Sequence, residues 1–356
     1  MGEGVFFNFV LPGIIATTSC FFVLLTYLLF PELRNMRYVE LVFYVSLNDF
    51  LASIGAVMGD TTHNTGECWF QALTSQYNYI SSIFWTTVIT FQVWLVINKG
   101  HLLTKDDMIY MHYICWGLPL LLTILPFTTS TYGAADDDQP FCFFANTSRS
   151  PSWAELFWTI FSFYGWVLLA ALVNAALLIH AFIVLRSKQI GVEIALQSLK
   201  KLAFYPIILI FCWTGLGSFV IYSEIHPLSG LSDSMQVFFF FASFISIMQG
   251  AFTPAVFFST NPAIRLLWYN MICCRESKSE TAISTDELNK GFDYVVEDQR
   301  LTMEIFADRV SSFAMRSSGG APRSSIFDDS TNFDLNRDSE NMELPLSRTS
   351  NPMIMD

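Results

Sequence analysis

Residues 153–185 read WAELFWTIFSFYGWVLLAALVNAALLIHAFIVL, with Glu155 near the start as the one charged side chain and no Lys or Arg in the run. A helix crosses the roughly 30 Å hydrocarbon core of a bilayer with about 20 mostly apolar residues. The run is long enough to do so and is apolar on every face, which does not suit a helix lying against water. Six further runs of the same kind lie near residues 5–30, 38–59, 70–97, 108–131, 202–223 and 234–259. Between them stand short connectors rich in charge, Gly and Pro, such as Pro31-Glu32-Leu33-Arg34, Gly59-Asp60 and His226-Pro227. The pattern predicts an all-α integral membrane protein, a seven-transmembrane helix bundle.

Composition agrees. Of 356 residues 53% are hydrophobic, only 14% are charged and 35 are Phe, too few charges to clothe a soluble surface of this length. The net charge of −12 disfavours binding to nucleic acid.

Lys and Arg collect in cytoplasmic loops of membrane proteins. One set of connectors carries Arg34, Arg37, Lys99, Lys105, Arg186, Lys188, Lys200, Lys201 and Arg265, and the other carries Arg149 alone. The expected topology therefore puts the N-terminus outside and the C-terminus in the cytoplasm, in the plasma membrane. The first span is expected to act as an uncleaved signal anchor, with no long ligand-binding domain before it. After the seventh run, Asn261-Pro262 breaks the helix, and Ala263 to Ile272 sets Ile264, Leu267, Trp268 and Met271 on one face. That is a short juxtamembrane helix lying on the inner surface, with Cys273 and Cys274 placed for lipidation. Residues 1–272 are expected to form the seven-helix membrane domain and 273–356 a disordered tail rich in Ser and Thr. Its Ser311-Ser312, Ser317-Ser318 and Ser324-Ser325 pairs are candidate sites for a kinase and an arrestin-like adaptor.

Within the membrane domain, Cys68 and Cys142 both fall on the oxidising side and are expected to form a disulfide that ties the second outer loop over the bundle. Asn146-Thr147-Ser148 in that loop is a glycosylation sequon at Asn146. Asp49, beside Asn48, stands near mid-membrane in the second run. A carboxyl there is costly unless it faces the bundle interior, so the pair is read as a polar switch that changes partners on activation, with Asn174, Gln92 and Gln249 as possible partners. Cys20, Cys115 and Cys212 are read as small buried apolar residues. The histidines are split between the two sides, with His63 and His226 on one and His101, His112 and His180 on the other, and make no zinc face. No nucleophile set, phosphate loop or buried carboxylate pair points to an enzyme, and no cofactor is expected. The last run has no Lys to hold retinal. No inverted repeat or charged relay supports the alternative of a seven-helix transporter or channel.

The stretch Tyr113-Ile114-Cys115-Trp116-Gly117-Leu118-Pro119-Leu120 resembles the Cys-Trp-Gly-Leu-Pro segment of the slime-mould cyclic AMP receptors, and Cys212-Trp213 and Asn261-Pro262 also fit that family. Gln249-Gly250 is similar to the seventh span of secretin and adhesion receptors. The third run ends Val96-Ile97-Asn98-Lys99 without Asp-Arg-Tyr, and the seventh lacks Asn-Pro-x-x-Tyr, so the rhodopsin class is disfavoured. The resemblance implies a G-protein-coupled receptor with an outer pocket for a small extracellular ligand and an inner cavity for a heterotrimeric G protein. Arg186, Lys188, Lys200 and Lys201 bracket the third inner loop and are the expected coupling surface. The family name and the charges diverge on the ligand. Glu3, Asp60, Glu67, Asp136, Asp137, Asp138, Glu155, Glu224 and Asp233 surround the single outer cation Arg149, which favours a neutral or cationic ligand over cyclic AMP.

Overall fold

The computed structural model describes residues 6–59, 61, 65–99, 103–129, 132–133, 142–144, 153–187, 193–225 and 233–273. Among them, six helices are long and apolar enough to cross a membrane: α1 (Phe6–Leu29), α2 (Arg37–Val57), α3 (Gly66–Lys99), α4 (Lys105–Thr129), α5 (Leu156–Val184) and α6 (Ala203–Val220). A seventh, α7, runs in two pieces, Ser234–Ile247 and Gln249–Thr260, bent by 46° where they meet. Counted as one span it completes the expected seven, and the chain is a multi-pass membrane protein. The juxtamembrane helix α8 is Pro262–Ile272. Its face divides: Ile264 is buried, Leu267 and Trp268 pack on the core, and Met271 is exposed.

Local chemistry fixes the helix ends. At the end of α1, the Arg34 guanidinium donates to the carbonyls of Tyr27 at 3.2 Å and Leu28 at 2.7 Å, groups the finished helix leaves unpaired. At the start of α4, Thr104 and Asp107 form a reciprocal capping box. The bundle thus has an end bearing Arg34, Lys99, Lys105 and Arg186, the basic end, and an opposite end bearing the disulfide.

In lipid there is no hydrophobic force pressing one helix on another, so packing and interhelical hydrogen bonds must hold the bundle. α3 is built for this. Over their most apolar stretches, 83% of the residues of α3 are buried, against 28% in α4 and 22% in α5, whose remaining surface faces lipid. Its buried polar side chains reach four neighbours. Gln71 donates to the carbonyls of Gly55 and Gly59 near α2, each at 2.9 Å. Gln76 donates to the Ser162 carbonyl of α5 at 2.9 Å, Ser81 to the Cys115 carbonyl of α4 at 2.8 Å, and Thr90 to Asn174 of α5. Gln92 accepts the Leu103 backbone N–H at 3.1 Å.

At the disulfide end, Cys68 of α3 is bonded to Cys142. A two-stranded antiparallel ribbon lies beside it, β1 (Tyr132–Gly133) and β2 (Phe143–Phe144), with Tyr132 opposite Phe144. The Gln71 carbonyl oxygen accepts both the Cys142 N–H and the Thr61 hydroxyl at 2.8 Å, so one side chain organises the turn after α2 and the loop after α4. Gly59, at φ 68°, takes the left-handed backbone that this turn needs and that glycine adopts without strain. The Tyr132 hydroxyl donates to the Thr123 carbonyl at 2.8 Å, and burial raises the phenol's pKa, keeping it a donor.

Peptide mapping without reductant should recover a Cys68–Cys142 cross-linked peptide. Cys142→Ser should lower stability by about 2–4 kcal/mol, read as a fall in Tm in detergent. Two free thiols in the native protein would contradict the fold at this end.

Candidate functional site

The polar interior centres on Asp49. Its Oδ1 accepts from the Ser82 hydroxyl of α3 at 2.6 Å and from Gln249 Nε2 of α7 at 3.2 Å. Gln249 Nε2 also reaches Ser82 Oγ at 3.3 Å, and Gln249 Oε1 accepts the indole N–H of Trp213 from α6 at 2.5 Å. Four helices thus meet through four side chains, all of them buried. Asp49 Oδ2 is buried and has no hydrogen-bond partner among the described residues. The carboxyl therefore sits in the bundle with one oxygen satisfied twice and the other without a donor among the described residues.

Of the partners considered from sequence, Gln249 meets Asp49 and the other two do not. Asn174 bonds Thr90 and, through Nδ2, Thr87 Oγ1 at 3.0 Å, while Gln92 serves the Leu103 N–H. Asn48 points elsewhere, donating to the Tyr44 carbonyl one turn back at 2.8 Å. Ser82 and Trp213 were not anticipated, because contacts between distant helices leave no local trace in a sequence.

The α7 bend places Gln249. Pro254 has no N–H to give the Gly250 carbonyl four residues earlier, which weakens the helix there. The Cys20 thiol of α1 takes up that carbonyl, Sγ to O 2.9 Å. Cys20 is thus a donor as well as the small buried residue expected, and the spacing from Gly250 to Pro254 was the available clue. A side chain at Gly250 has no room: a Cβ there would lie 3.0 Å from Ala16 Cβ, 3.3 Å from Ser53 Oγ and 3.4 Å from Asp49 Cβ. α1, α2 and α7 therefore close on one another at the bend.

The Tyr113–Leu120 stretch is a docking device between α3 and α4. Its first residues, Tyr113–Gly117, form a π-helical turn, and Pro119 has no N–H to offer Cys115, whose carbonyl is the one Ser81 bonds. Trp116 stacks on Tyr77 of α3 at 6.4 Å and donates to His112 Nδ1 at 3.2 Å. Trp213, the aromatic half of Cys212-Trp213, holds the polar centre, and Asn261 closes the basic end by accepting from Tyr38 at 3.3 Å.

The model of the slime mold cyclic AMP receptor family matches residues 6–286. The chain belongs to that family. It is 26% identical over 202 residues to G-protein coupled receptor 1 of Arabidopsis thaliana, covering 54% of the chain and 60% of that protein. It is 23% identical over 201 residues to cyclic AMP receptor-like protein B of Dictyostelium discoideum, covering 51% and 42%. It is 29% identical over 253 residues to adhesion G protein-coupled receptor E2 of the rat, covering 67% and 25%. The chain thus spans less than two thirds of the length of each of these relatives.

The other expected sites divide by position. Arg186 is exposed near the basic end of α5, and Cys273 is an exposed free thiol directly after α8. Lys200 and Lys201 lie on the helix Glu193–Ile225 that contains α6, but their side chains lie outside the described residues. Asn146, Lys188, Cys274, Arg149 and the tail from residue 274 lie outside them entirely.

Ser82→Ala should destabilise the protein by about 0.5–1.5 kcal/mol, because it leaves Oδ1 of a buried carboxyl with Gln249 as its remaining donor. Paired with Asp49→Asn in a double-mutant cycle, it should show a coupling of about 0.5–3 kcal/mol in thermal stability. Strictly additive losses would mean that the Ser82–Asp49 contact contributes nothing.

Proposed function

We propose that the protein is a receptor that couples binding of a small extracellular ligand to a heterotrimeric G protein on the cytoplasmic side of the plasma membrane. One observation carries the reading, a continuous line of contacts from the loop at the disulfide end to the polar centre. Phe143, next to Cys142, meets Phe163 of α5 edge-on at 5.2 Å, and Phe163 meets Trp213 at 5.3 Å. Trp213 holds Gln249, and Gln249 holds Asp49. A ligand that displaces the loop or Phe163 acts on the one donor that orients Gln249 and hence on the α7 bend. Such a ligand shifts the equilibrium only by binding the second arrangement more tightly than the first.

The orientation rests on the excess of Lys and Arg at the basic end, which faces the cytoplasm by the positive-inside rule. The G protein then docks on the third inner loop, which Arg186, Lys188, Lys200 and Lys201 bracket in the sequence. Asn146 faces the lumen during synthesis and is glycosylated, Cys273 and Cys274 are acylated, and the tail's Ser pairs recruit a kinase and an arrestin-like adaptor when phosphorylated. Some relatives carry cyclic AMP in their names. The acidic outer residues and the lone Arg149 favour a neutral or cationic ligand here instead.

The test is nucleotide exchange on a purified G protein by the receptor in vesicles, with a panel of candidate ligands that includes cyclic AMP. A neutral or cationic compound should accelerate exchange without solute flux, and cyclic AMP should not compete with it. Trp213→Phe frees Gln249 by removing its N–H donor and should raise ligand-free exchange. Lys200→Glu with Lys201→Glu should depress exchange while leaving ligand affinity unchanged. Solute flux with no effect on exchange would make the protein a transporter or channel instead.

A further inference from the structure

Toward the basic end, α1, the second piece of α7 and α8 enclose a groove of about 520 Å3. Small residues line its floor, Ser19 of α1 with Ala251, Pro254 and Ala255 of α7. One wall is held rigid: Trp268 donates from Nε1 to Thr26 Oγ1 at 2.8 Å and meets Phe22 edge-on at 5.9 Å. The rim differs from the floor. Arg265 is the one charged residue of the lining, it is exposed, and among the described residues its side chain makes no hydrogen bond or ion pair.

The depth of the groove suits one class of occupant. Ser19, its deepest lining residue on α1, stands about 15 Å along the helix from the last residue, Leu29. That is half of a roughly 30 Å hydrocarbon core, the depth of a single leaflet. The flanking residues Phe22, Tyr269 and Ile272 are exposed on the lipid-facing side, at 44%, 56% and 68%, so the groove is open to the bilayer. A guanidinium at interfacial depth above an apolar slot matches a phosphate joined to an acyl chain, and the fork of an arginine pairs with phosphate oxygens through two bonds. We propose that the groove is a binding site for one anionic phospholipid of the adjacent leaflet, with an acyl chain along Ser19, Pro254 and Ala255 and the headgroup phosphate on Arg265. The lipid would tie α8 to the segment of α7 that follows the bend. The inference depends on the membrane fold and not on the receptor reading or on which leaflet is cytoplasmic.

Native mass spectrometry of the detergent-purified full chain tests it, with phosphatidylserine and phosphatidylcholine as competing probes. The wild type should retain one phosphatidylserine in preference to phosphatidylcholine. Arg265→Gln should weaken that binding at least about tenfold, the loss of a charge-assisted contact. Ala255→Trp, which fills the slot from an exposed position, should abolish retention of both lipids, and Cys273→Ser should change neither. Equal retention of the two lipids by the wild type, or unchanged binding in Arg265→Gln, would overturn the proposal. So would loss of an internal acyl group together with gain of lipid binding in Cys273→Ser, which would make the chain's own thioester-linked acyl group the occupant. None of these readouts depends on G-protein coupling, so failure here and failure of the receptor reading remain separate.

Discussion

A helical bundle in lipid has to be held by what its helices exchange with one another, and here the burden falls on the polar side chains of α3. Gln71, Gln76, Ser81, Ser82, Thr90 and Gln92 are spread along a helix that lipid scarcely touches. Each has a partner on a neighbouring helix or loop. Replacing this set by apolar residues would leave α3 as buried as before and would remove what tells α2, α4 and α5 where to stand. Interhelical hydrogen bonds of this kind average well under 1–2 kcal/mol each, so position rather than bulk stability is what they supply.

Two prolines extend the same logic. Pro119 and Pro254 each lack the N–H that would serve the carbonyl four residues back, and in each case a neighbouring helix supplies a donor, Ser81 to Cys115 and Cys20 to Gly250. A weakness within one helix becomes a contact between two. At Gly250 the contact coincides with the α7 bend, and the bend aims Gln249 at Asp49 and Trp213. The polar centre and the bend of α7 are therefore the same place. That is the arrangement expected of an element with two packings close in energy, since packed interfaces switch between discrete states rather than deform continuously.

Much of this was legible in the sequence. Hydrophobic run length alone gives seven spans, because lipid forces a backbone to satisfy itself and leaves few alternatives to a helix. The carboxyl of Asp49 in mid-membrane stands out as a group that lipid does not tolerate alone, and Cys68 and Cys142 stand out because the spacing of the spans puts them at the same end of the bundle. The partners were harder to see. Ser82 looks like any small residue in α3, and only its register against Asp49 gives it a role. The ribbon of Tyr132–Gly133 with Phe143–Phe144 is too short to leave a strand pattern and is set by the disulfide and by Gln71. The break at Met248 has no proline of its own, and its signal sits several residues downstream at Pro254.

We propose that the α7 bend is a two-state element governed by the contacts of Gln249. The direct measurement is a pulsed-EPR distance between spin-labelled noncanonical residues at the exposed positions Val237 and Ser259, one on each piece of α7, with the native cysteines left in place. If the proposed coupling holds, addition of nucleotide-free G protein to the protein should shift the distance distribution to a second, discrete population, and Gln249→Leu should populate it without G protein. A single unchanged distribution in all three samples would mean that the 46° bend is a fixed feature of the fold and not a switch.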